Sequence, residues 1–202
     1  MRLIREINSH EMLRRWAIAE VYVEYLDFIN ETVPRETLQL LYSNDRNLEK
    51  KGISKSLKLH HLSLVDCLPS DVSWYLAGLE ITKREFNKLQ TIGVEGFAKM
   101  TNASYQVADA AKELQRNPGM DLRIEGIKQA LQTGSKEVQW LGITLLASGI
   151  EGPFTIVEGN GRLISLYQLL FLENNQGLQN CEMEVVLGIS DEELKINVKY
   201  LD

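Results

Sequence analysis

The chain has 202 residues, enough for one sizeable domain, and its 44% hydrophobic and 25% charged residues are the balance of an ordinary globular protein. A formal net charge of −6 argues against nucleic acid held by a general basic surface, and the three histidines and two cysteines show no zinc-finger, CxxC or HExxH spacing. The first residues lack the apolar stretch of a signal peptide, and the longest apolar run, residues 163–172, is about half of a membrane span; a cytoplasmic location, no membrane partner and two free thiols, Cys67 and Cys181, are expected.

In chain order, Ser9 caps a predicted helix over 9–30, with Met12, Trp16, Ala19, Val23 and Leu26 in one apolar stripe. Pro34 suits the first turn of a second helix, with Leu38 and Leu41 facing inward. Residues 44–61 break the pattern with Arg46, Lys50, Lys51, Lys55 and Lys58, which predicts a polar, mobile connection and a subdomain boundary. This basic stretch, with His60 and His61 after it, reads as a solvated loop in preference to a phosphate-backbone contact.

The run 72–80 predicts a strand leading into a helix. Thr82 and Glu85 form a capping box, Ile81 staples onto Phe86, and Leu89 and Ile92 continue the inward face. A helix over 103–116 stops at Asn117-Pro118-Gly119, and Asp121 caps another that carries Ile124, Ile127 and Leu131 and ends at Gly134. The last third is β-rich: runs over 138–147 and 154–157 are joined as a hairpin through 148–152, and a helix over 163–173, a loop over 174–180 and a strand over 183–188 follow. Ser190 and Glu193 make a second capping box, which favours a final helix over an alternating strand. Trp16, Trp74 and Trp140 all fall in apolar periodic segments and read as core; Cys181, with no His or Lys beside it, reads as structural.

The most informative segment is Glu158-Gly159-Asn160-Gly161-Arg162, between a β-run and an almost wholly apolar helix. Gly159 and Gly161 permit positive φ and close approach of a ligand, Asn160 suits a helix cap, and a helix start presents free N–H groups to an anion. Arg162 offers a planar fork of donors suited to phosphate oxygens, which makes it the expected clamp. Glu158 is the candidate catalytic acid or base, able to orient a metal-bound water or accept a substrate proton. The alternative is a plain strand-to-helix turn in which Arg162 pairs with Glu158.

From about Ile124 onward, over roughly the C-terminal 80 residues, the chain resembles the ParB N-terminal-like and sulfiredoxin superfamily. In that family a helix ending in Gly leads through a strand, a hairpin and a second strand into a Gly-x-x-Arg turn and a helix; a further strand and helix complete the unit. The resemblance implies an α+β fold with N-terminal helices packed on a mixed-sheet core. It also implies a nucleotide-phosphate site at Gly159, Asn160, Gly161 and Arg162. Asn160 and Gly161 stand where sulfiredoxins carry Cys and His, so sulfinic-acid reduction is not expected. ParB partition proteins have a second arginine in the turn and a downstream helix-turn-helix domain; their absence here argues against DNA segregation.

The same five residues also resemble the tail of the Fic motif. Phe154 is spaced wrongly for it, and Gly152 stands where its histidine is expected, so the general base for nucleotidyl transfer is missing.

The expected organisation is a helical region over 1–62 and an α+β core over 63–202, together one unit. The expected function is a stand-alone ParB-like protein that binds a nucleotide or small phosphorylated ligand, for example a nucleoside di- or triphosphate with magnesium, and extends to phosphoryl transfer if a second catalytic group exists. The alternative is a non-enzymatic interaction module of a toxin, phage or partition system, which the amphipathic 9–30 helix suits, with a protein partner or a homo-oligomer; a degenerate Fic-type nucleotidyl transferase is the third reading.

Overall fold

The computed structural model describes residues 1–24, 32–57, 62–133, 140–175, 181–192 and 194. Its apolar runs form the interior of a six-stranded mixed sheet: β1 (Arg2–Ile7), β2 (Ser73–Glu80), β3 (Leu89–Gln90), β4 (Thr144–Ala147), β5 (Phe154–Glu158) and β6 (Glu182–Ile189). The spatial order is β1-β2-β6-β4-β5-β3. The β1/β2, β2/β6 and β4/β5 pairs are antiparallel, and β4/β6 and β3/β5 are parallel. The fold is therefore α+β, with the mixed sheet that the sequence predicts.

Both faces of the sheet are covered, which explains why its central strands read as continuous apolar runs. Leu76, Leu146, Val157 and Val186 pack with Trp16, Ile18, Leu41, Ile53 and Leu57 on one face. These side chains come from α1 (Ser9–Glu24), α2 (Thr32–Leu41) and α3 (Arg46–Leu57). Ala77, Leu145, Ile156 and Val185 pack on the other face with Val107, Ala111, Ile124, Leu163 and Tyr167. Those helices are α7 (Val107–Arg116), α8 (Leu122–Gln132) and α9 (Asn160–Tyr167), which continues as a π-helical turn over Gln168–Leu172. Short helices α4 (Leu62–Val65), α5 (Lys83–Phe86) and α6 (Glu95–Thr101) link these parts.

Several expectations are corrected. Residues 44–57 are not a mobile connection: α3 packs on α1 and α2, its start is capped by the Asp45 carboxylate at 2.8 Å from the Asn47 N–H, and Gly52 lets it approach Leu41. Its lysines 50, 51 and 55 lie on its solvent side, and Lys58, His60 and His61 are outside the described residues. The capping side chain of α1 is Asn8, which accepts from the Glu11 N–H at 2.9 Å, and not Ser9. Residues 25–31, and with them Leu26, are outside the described set. β1 pairs with β2, so the sheet takes strands from both sides of residue 62.

The Thr82 cap is present, accepting from the Glu85 N–H at 3.3 Å, but it starts only a single turn. Leu89 then enters β3, where it faces Phe154. Burial pushes the Glu85 carboxyl up, but Lys88, the Met1 amino group and Arg84 outweigh this and hold it below the ordinary value. The predicted 103–116 helix starts later, at Val107, because Asn102, Ala103 and Tyr105 take positive φ. The end at Asn117, the Asp121 cap (3.0 Å from the Ile124 N–H), the β4/β5 pairing and β6 lie where the sequence places them. β4 is shorter than the predicted 138–147 run: residues 140–143 are not strand, and Gly142 turns the chain there with φ +83°. Gly134 and Glu193 are outside the described residues, as is most of the predicted final helix over 190–201; its described residues, Ser190 to Glu192 and Leu194, are not helical. Cys181 is exposed, and both cysteines are free.

Candidate functional site

Gly159 ends β5 with φ +99° and serves as the N-cap of α9, with no side-chain cap. A β-carbon there would stand 2.9 Å from Ile143 Cγ1, so both conformation and space require glycine. Asn160 does not cap the helix. Its Oδ1 accepts from the Ile92 N–H at 3.2 Å and its Nδ2 donates to the Ile156 carbonyl at 3.3 Å, which ties the turn to the chain leaving β3. Gly161 is a close-packing position, since a β-carbon would lie 3.0 Å from Ile127 Cδ1 of α8. Ser165 Oγ donates to the Ile124 carbonyl at 3.1 Å and completes the α8–α9 contact.

Of the two arrangements open to Arg162, the structure shows pairing with Glu158. The Arg162 residue is 1% exposed, its Nη2 lies 3.0 Å from Glu158 Oε1, and its Nη1 donates to the Leu141 carbonyl at 3.0 Å. The two side chains neutralise each other inside the fold and fix the bend from behind. A guanidinium so engaged is a prop for the turn. The Glu158 side chain is 13% exposed, and one of its oxygens faces Arg162.

A cavity of about 210 Å³ opens on the turn. It is lined by the turn itself, Val157 to Arg162, by Leu64, Ile92, Val94 and Phe97, and by Asp121, Arg123, Ile124 and Ile127 from the start of α8. The first N–H groups of any α-helix lack intrahelical partners, and Leu163 is the first residue of α9 to bond back, to the Gly159 carbonyl at 3.0 Å. The cavity thus combines the polar turn with the apolar side chains of Ile92, Val94 and Phe97. Arg123 is exposed on the rim, and it makes no ion pair among the described residues.

All five residues of the predicted segment line this one cavity. Sequence reasoning misses Arg123 and Phe97. The Asp121 cap announces the helix that carries Arg123, but nothing local shows that α8 crosses α9 at Gly161. Among the described residues no cluster of three or more His, Cys, Asp or Glu side chains suits a metal ion, and no helix is long and apolar enough to cross a membrane. No protein-family model, curated protein or solved structure matches the chain.

Proposed function

We propose that this protein is a ParB-like binding protein whose cavity at residues 158–162 holds the phosphate of a nucleotide or another small phosphorylated ligand. The observation that carries this reading is the cavity itself, which opens on the N-terminus of α9 and has a guanidinium on its rim. Helix starts of this kind attract anions through unpaired N–H groups and the aligned peptide dipoles. Arg123 takes the clamp role, while Arg162 and Glu158 hold the turn in shape. The order α8, β4, β5, turn, α9, β6, with β4 and β6 parallel neighbours, supports the ParB/sulfiredoxin-like reading of the core. With Glu158 tied to Arg162, binding is better supported than a chemical step.

The test is equilibrium dialysis against orthophosphate, AMP, ATP and CTP with magnesium, alongside adenosine and cytidine. Phosphorylated compounds are expected to bind and the free nucleosides are not. Binding by none of the phosphorylated compounds, or adenosine binding as well as AMP, would remove the reading.

A further inference from the structure

Resting on that reading of the site, we infer that the ligand is a small phosphomonoester with a flat apolar body, and that Phe97 and Arg123 select it over a nucleoside triphosphate. Three observations point this way. The cavity, at about 210 Å³, lies below the roughly 300–1,000 Å³ of pockets that enclose drug-sized ligands, so it has room for one phosphate and a single ring.

Its charged lining is balanced in number: Arg123 and Arg162 against Asp121 and Glu158. Arg162 is already matched by Glu158, which leaves Arg123 as the group on the rim able to meet one anionic headgroup. A triphosphate would bring several negative charges to a lining that carries no net positive charge. A monoester dianion brings its charge to one place, where a forked guanidinium can meet two of its oxygens.

The third observation is the apolar part of the lining. Phe97 is partly exposed and lines the cavity with Ile92 and Val94, and aromatic faces accept a flat ring by stacking. The ligand class is therefore an aryl or heteroaryl phosphate of single-ring size.

Isothermal titration calorimetry of the full chain with phenyl phosphate, orthophosphate and magnesium-ATP tests this. Phenyl phosphate is expected to bind at least about tenfold more tightly than either of the others, a gap of about 1.4 kcal/mol. Arg123→Gln should weaken both phenyl phosphate and orthophosphate about tenfold. Phe97→Ala should bring phenyl phosphate down to the level of orthophosphate and leave orthophosphate unchanged. Because Phe97 also packs against the core, Phe97→Leu serves as the second variant: it keeps an apolar side chain, and it should lose most of the preference for the ring. ATP binding more tightly than phenyl phosphate, or a preference for the ring that survives both Phe97 variants, would overturn the inference and leave the phosphate reading standing. No binding of any phosphorylated compound would overturn both.

Discussion

Arg162→Ala is expected to lower the unfolding free energy by about 3–5 kcal/mol, the usual cost of removing one partner from a buried ion pair. The substitution strips the Glu158 carboxylate and the Leu141 carbonyl of donors at 3.0 Å. It also empties a buried volume beneath the turn. Urea unfolding followed by far-UV circular dichroism measures the loss. The double change Arg162→Met with Glu158→Gln should recover part of it, since no charge is then left stranded. A loss below about 1 kcal/mol for Arg162→Ala would mean that the pair does not brace the turn, since surface pairs are worth that little.

Trp16→Ala is expected to cost about 3–5 kcal/mol as well, by a different route. Trp16 is fully buried between α1 and the sheet, in the cluster with Trp74, Leu76 and Val186, and its indole N–H lies 3.3 Å from the buried Glu20 carboxylate. The cavity left behind lies in the N-terminal helical layer, yet sheet residues from far along the chain form its wall. A single cooperative transition should therefore move to lower urea, with circular dichroism and fluorescence of the remaining Trp74 and Trp140 in register. Two separated transitions would show that residues 1–57 unfold on their own.

That second experiment bears on what the sequence makes legible. Strands β2, β5 and β6 can be read because burial on both faces leaves long apolar runs, and α8 can be read because Asp121 caps it. β1 is hidden. Its residues Arg2 to Ile7 are exposed on the sheet edge except at the end, and a bulge between Leu3 and Arg5 breaks any alternation. α3 is hidden by its lysines, since only Ile53 and Leu57 among its large apolar residues are buried, and packing on α1 and α2 decides its structure. At Thr82 a correct local signal starts a helix that stops after one turn, because Leu89 and Gln90 gain more from pairing with Phe154 and Thr155.

The site shows the same division. The turn and its glycines stand together in the sequence, and the structure gives each a steric reason. The cavity walls come from residues 64, 92–97 and 121–127, which only the tertiary fold brings to the turn. The change in the reading of Arg162 has the same origin. A four-residue spacing allows its pairing with Glu158, but the enclosure that makes the pairing dominant comes from Leu141 and α8.

The most direct measurement is a titration of ¹⁵N-labelled protein with phenyl phosphate, followed amide by amide by NMR. Saturable shifts centred on the N–H groups of Asn160 and Gly161, with the Arg123 side chain responding at the same concentrations, are the expected result. Shifts that leave those amides unmoved, or that scatter over the basic face of α3, would contradict a phosphate site at this turn.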